Sequence, residues 1–233
     1  MTTYGYYKPT DKMSNLICDN YELLQVMSRF GISLGFGDKN VAEVCNTYGV
    51  DCETFLTVVN FLSYNDDYGI IKLNNKSILS LIEYLKDAHH YFMEYAMPSI
   101  REKLLSTLKY SDNQEVSFLI INFFDSYCVE LSKHMTYEDS NVFPYVNRLI
   151  NNESTGQFKF SDFANSHDQL DVKLTELKDI IIKYLSTKAD NQNTNALLYE
   201  IFSCIKDLDS HSRIEDCIFI PSVFNLEKEM ELK

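Results

Sequence analysis

Two stretches of this chain repeat one another: His134-Met-Thr-Tyr-Glu138 and His211-Ser-Arg-Ile-Glu215. The likeness runs past the His and Glu. The first copy continues through Asp139 to Val142-Phe143-Pro144, the second through Asp216 to Phe219-Ile220-Pro221. Both read H-x3-E-D-x2-Φ-Φ-P, where Φ is apolar, with Pro six residues after Glu. On a helix, residues four apart share one face and lie about 6 Å apart along the axis, so one His and one Glu can reach a common centre. A single H-x3-E is weak in a chain this acidic. Two copies with the same apolar and Pro tail constrain the fold to helices that present them.

The rest of the sequence agrees with a helical scaffold. Only 7 Gly and 4 Pro occur in 233 residues, which argues against a turn-rich all-β protein, and 45% hydrophobic residues are enough for a core. The net charge is −13, with Lys and Arg scattered, so a nucleic-acid backbone is excluded as partner and the acidity reads as solubility. No apolar run reaches the roughly 18 residues of a membrane span, and no secretory h-region opens the chain. The six Cys form no CxxC and are read as free buried thiols in a reducing cytoplasm.

In chain order, residues 1–64 suggest a small helical N-terminal domain. Tyr21 to Phe30 stops at Gly31, Val41 to Tyr48 stops at Gly49, and Cys52 to Leu62 follows Asp51 as N-cap. Residues 65–76 are polar and read as a linker. Residues 77–225 carry four long patterns near a 3.6 period: Ile78 to Leu108, interrupted by Pro98; Glu115 to Arg148; Ser161 to Leu185; and Ala196 to Val223. The expected fold is all-α, an antiparallel four-helix bundle after the small helical domain. Residues 226–233 read as a charged tail.

Four of the five His fall one per long helix: His90, His134, His167 and His211, separated by 44, 33 and 44 residues. Equal outer intervals suggest two similar helix pairs with imidazoles at one level. Buried ionisable groups cost several kcal/mol unless paired or metal-bound, so a metal site accounts for them better than core packing. Four imidazoles with Glu138 and Glu215 suit two metal ions with open positions, and this donor set favours iron over zinc or manganese. Glu94 and Asp171 also lie four residues after a His and are kept as residues that orient an imidazole or are solvated. His89 is about 100° from His90 on a helix and is expected to be partly exposed. Tyr137 is expected to pack rather than to join the site.

These residues resemble the hemerythrin-like domain of the iron–sulfur cluster repair di-iron proteins. The resemblance covers roughly residues 78–225 and is carried by His134 to Pro144, Ser166-His167-Asp168, His211 to Pro221, and Ala88-His89-His90 to Met97-Pro98. It implies His90, His134, His167 and His211 as terminal ligands and Glu138 and Glu215 as bridging carboxylates. The implied cofactor is two non-haem iron ions with an oxo or hydroxo bridge. Phe30-Gly31-Ile32, Gly37 to Val41 and Cys45 to Leu56 resemble the family's N-terminal domain. Gly35-Phe36 stand where its members carry adjacent Cys.

The function this implies is repair of iron–sulfur clusters damaged by nitric oxide or oxidants, with damaged iron–sulfur proteins as partners. A second reading is a module that binds or senses oxygen or nitric oxide. A third is a metal-free helical interaction protein. A monomer or homodimer is expected. The motifs H-E-x-x-H, P-loop and G-x-G-x-x-G are absent.

Overall fold

The computed structural model describes residues 6–64, 73–165, 171–185 and 191–231. Every named element among them is a helix, and the extended pairing found is an isolated bridge between Lys12 and Asn40. The elements are α1 (Met13–Asp19), α2 (Leu23–Arg29), α3 (Val41–Tyr48), α4 (Cys52–Tyr64), α5 (Asn75–Tyr91), α6 (Met97–Leu108), α7 (Gln114–Tyr137), α8 (Phe143–Ile150), α9 (Phe160–Asn165), α10 (Asp171–Tyr184), α11 (Asn191–Ile214) and α12 (Ile220–Glu231).

The chain forms two compact units. One comprises Met1–Ala88, Tyr145–Phe158 and Arg213–Lys233; the other comprises His89–Pro144 and Lys159–Ser212. This grouping does not follow the division expected at residues 65–76. Residues 65–72 of that linker lie outside the described residues, and Asn75 and Lys76 already belong to α5.

In the first unit, helix ends follow the local sequence. Asn40 and Glu43 form a reciprocal capping box at the start of α3, and Gly49 ends it at φ 68°, a left-handed conformation that suits glycine. Asp51 accepts the backbone N–H of Thr54 at 3.1 Å, and also the hydroxyls of Thr54 and Ser77 at 2.7 and 3.1 Å. It thus caps α4 and ties it to the start of α5. Phe30 packs on Phe55 and Tyr84, with ring centroids 5.5 and 4.9 Å apart. Of the expected charged tail at 226–233, residues 226–231 belong to α12, with Leu226 buried and Glu227 accepting a hydrogen bond from the Tyr145 hydroxyl; residues 232–233 lie outside the described residues.

In the second unit, buried residues keep an alternating three- and four-residue spacing: Ile120, Phe124, Tyr127 and Leu131 on α7, and Leu197, Ile201, Cys204 and Leu208 on α11. Asn113 caps α7 by accepting from the N–H groups of Glu115 and Val116. Arg101 holds Asp125 through two hydrogen bonds of 2.7 and 2.9 Å, and Lys103 pairs with Glu200.

Three helices widen into a π-helical turn: Phe92–Ala96, Glu138–Val142 and Glu215–Phe219. Each ends two residues before a proline: Pro98, Pro144 and Pro221. The physical cause is visible in the backbone. Proline has no N–H for the carbonyl four residues back, and its ring would press on that carbonyl. The residue before each proline bonds five residues back instead: Met97 to Phe92, Phe143 to Glu138, and Ile220 to Glu215. The apolar and Pro tail of the sequence repeat therefore encodes a π turn, and Glu138 and Glu215 are the first residues of two of them.

Candidate metal centre

The stripe on α7 that runs through Phe124, Tyr127 and Leu131 reaches His134 and Glu138 next. On α11 it reaches His211, and four residues later, as the helix continues, Glu215. Glu138 and His211 are fully buried and Glu215 is 1% exposed. On α5 the corresponding stripe passes through Ile82, Leu85 and His89 and continues into the π turn at Phe92 and Ala96, and His89 is 3% exposed.

One donor atom from each of His89, Glu138, His211 and Glu215 lies within 4.8 Å of the others. His89 Nε2 is 3.1 Å from one Glu138 carboxylate oxygen, and His134 Nε2 is 3.1 Å from the other. Glu138 thus sits between two imidazoles with one oxygen toward each. His89 and His211 meet edge to face at 5.1 Å between ring centroids. Phe143 stacks on His89 at 5.7 Å and Phe92 lies 5.8 Å from His211, closing the centre with apolar rings. The other ring nitrogen of His89 is 2.9 Å from Asp139. That contact fixes the imidazole's rotation, with Nδ1–H toward the Asp139 carboxylate and Nε2 toward the centre.

The expected ligand His90 is not at the centre. It is exposed, with its ring 5.8 Å from Tyr95. The reason is helical phase: His90 follows Glu83, Lys86 and Asp87, whereas His89 follows Ile82 and Leu85. With His89 in place, its interval to His134 is 45 residues, so the equality of the outer spacings is lost. His167 lies outside the described residues. Glu94 is exposed and Asp171 opens α10, half-buried. Tyr137 is 45% exposed with its ring 6.5 Å from Phe163, a packing contact as expected. Asp139 was visible in the sequence as part of the repeat, but nothing in the spacing assigned it to the His of another helix.

Two imidazoles and two carboxylates buried together fit a cation of intermediate hardness. Taking such groups out of water costs several kcal/mol apiece, and a cation offsets that cost through both carboxylates and the imidazole lone pairs. Residues 80–223 match the hemerythrin HHE cation binding domain, more than half of the 233-residue chain. The chain belongs to this family. The all-α helical bundle is the hemerythrin fold, and the buried His and Glu group is its candidate cation site. No curated protein matches the chain. No helix of this hemerythrin-like protein, among the described residues, is long and apolar enough to cross a membrane.

The cysteines are not uniformly buried thiols. Cys45 and Cys204 are buried, Cys52 and Cys128 are half-buried, and Cys18 and Cys217 are exposed. All six are free.

Proposed function

We propose that this chain is a non-haem di-iron protein that acts on nitric oxide or oxidant damage to iron–sulfur clusters. The observation that carries the di-iron reading is Glu138, whose two oxygens face His89 and His134 separately, each at 3.1 Å. A carboxylate so placed can bridge two ions. His89, His134, His211, Glu138 and Glu215 supply five donors, and His167 is the sixth in this proposal, from its place in the sequence. When bound, the iron pair supplies redox chemistry and open positions for a diatomic ligand. The protein's own part is to hold the donors, keep water out with Phe92 and Phe143, and fix the His89 ring through Asp139. The proposed setting is a reducing cytoplasm.

The cluster-repair role rests on the resemblance of residues 30–56 and 78–225 to the repair proteins. A second reading, an oxygen- or nitric-oxide-binding module, is favoured by Gly35-Phe36 at the place of the repair family's adjacent Cys. Metal content of protein purified without added metal tests the centre: two irons per chain, lost in the His134→Ala, His211→Ala double variant, support it. Restoration of a nitric-oxide-damaged cluster enzyme by the iron-loaded protein supports repair. Reversible spectral change with either gas, without restoration, supports the binding module.

A further inference from the structure

A series of aromatic rings runs from the buried centre to the surface around the π turn at Phe92–Ala96, all within the second unit. Phe92, fully buried, stands edge to face with the candidate donor His211, the ring centroids 5.8 Å apart. Tyr91, half-buried, meets Phe92 edge to face, also at 5.8 Å. Tyr95 lies four residues on and stacks on Tyr91 at 6.5 Å, the two planes 18° apart. Each step falls within the roughly 4.5–7 Å over which aromatic pairs are in contact. The last ring is open to solvent: Tyr95 is 62% exposed. The chain has no Trp, so Tyr is its most readily oxidised aromatic side chain. Tyr137, next to Glu138 in sequence, packs on Phe163 instead.

We propose that Tyr95 is the surface end of an electron path to the metal centre, and that it supplies the electron a half-oxidised centre lacks when peroxide reaches it. The inference rests on the di-iron reading above. Reduction of hydrogen peroxide to two waters takes two electrons and two protons. With one iron already ferric, only one electron is available from the irons, and the second comes from the protein. Tyr95 gives it through the rings of Tyr91 and Phe92, loses its phenolic proton to water and is left a neutral phenoxyl radical. The two protons for peroxide come from water. A reductant of the ascorbate class then returns one hydrogen atom to Tyr95. In balance, peroxide gains two electrons, one from ferrous iron and one from the reductant by way of Tyr95. Access is the physical advantage. The radical forms where a small reductant can reach it, rather than on His89, Phe92 or His211, which are buried and whose oxidation would damage the centre.

The experiment uses the full chain loaded with ferrous iron, its metal content measured first. It is half-oxidised with ferricyanide and mixed with hydrogen peroxide, with and without a nitroso spin trap. Freeze-quench electron paramagnetic resonance and peptide mass mapping read the products. The expected result is a tyrosyl signal and a trap adduct on Tyr95, although Tyr21 and Tyr199 are more exposed, at 74% and 77%. Tyr95→Phe should lose the adduct and gain oxidation on His89, Phe92 or His211. Tyr91→Leu removes the linking ring and should lose the Tyr95 adduct, whereas Tyr91→Phe keeps a ring there and should retain it. Four results would overturn the path and leave the di-iron reading standing: bound iron without a tyrosyl signal, adducts spread over the more exposed tyrosines, an adduct on Tyr137 in place of Tyr95, or an unchanged Tyr95 adduct in Tyr91→Leu. Absence of bound iron would overturn both. If Tyr91→Leu fails to fold, the wild-type map and the exposed Tyr95→Phe decide.

Discussion

Asp139→Ala separates the orienting of His89 from the stability of the fold. Among the described donors of the centre, Asp139 is hydrogen-bonded to His89, its carboxylate holding Nδ1 at 2.9 Å while Nε2 faces Glu138. Removing such a partner of a ligating imidazole typically lowers metal affinity about 10- to 100-fold, or about 1.4–2.7 kcal/mol. Its effect on the metal-free fold is smaller. Asp139 is 42% exposed, so water replaces much of the lost contact, and the cost is below about 1 kcal/mol. In a chain of 233 residues that amounts to a melting shift of no more than about 2–4 °C. The assay is a chelator-competition titration with ferrous ion beside a thermal melt of the metal-free protein. Asp139→Asn keeps an acceptor for Nδ1–H and loses only the charge, so it should recover part of the affinity. Affinity within twofold of wild type in Asp139→Ala would refute the argument. So would a metal-free melt that falls by more than ten degrees, since that makes the residue a structural one.

Four further outcomes follow from the same geometry. His89→Ala should abolish stoichiometric metal binding, whereas the exposed His90→Ala should leave metal content unchanged and stability within about 0.5 kcal/mol, both read by elemental analysis and melting. Metal at about 1,000 times its dissociation constant should stabilise the wild type by about 4 kcal/mol, while Glu138→Leu, which removes a fully buried carboxylate, should melt higher without metal and show no response to it. Burial works to raise the Asp51 carboxyl, but hydrogen bonds from Thr54, Lys76 and Ser77 hold it at about 2. Its folded value lies below its unfolded one, so the gain is complete above about pH 4 and is lost as pH falls through about 2. The gap between wild type and Asp51→Ala in denaturant melts, on the order of 1–2 kcal/mol, should therefore close in acid. Pro144→Ala restores an N–H that can bond the Ser140 carbonyl and close an α turn. Metal affinity should fall while far-UV helicity stays constant; unchanged affinity would mean the π turn at Glu138–Val142 does not depend on the proline.

Much of this protein is legible in its sequence where one local rule decides the outcome. Asn40 with Glu43, Gly49 and Asp51 fix helix ends by hydrogen bonds within a few residues, and those ends fall at the expected positions around α3 and α4. The start of α11 does not: it is expected at Ala196 after a polar stretch, yet the helix begins at Asn191. Polar residues without a strong breaker extend a helix whose later turns are buried, because packing outweighs weak propensity.

The centre shows where such reading stops. His134-Glu138 and His211-Glu215 were recoverable because each pair lies on one helix, and helical spacing carries the information. The choice between His89 and His90 depends on a rotation of about 100°, which the adjacent histidines leave open and the flanking apolar residues decide. Ile82, Leu85 and Phe92 are buried on the His89 side, while Glu83, Asp87 and Glu94 line the exposed His90 side. The repeat also held more than its ligands. Aligned on proline, Phe92–Ala96 is a third copy of the π turn, with Phe92 where the others have Glu138 and Glu215. That copy presents a ring against His211 in place of a carboxylate. The same backbone device is thus used twice to place a donor and once to place a wall, and the proline in each copy acts on the site through the backbone turn that precedes it.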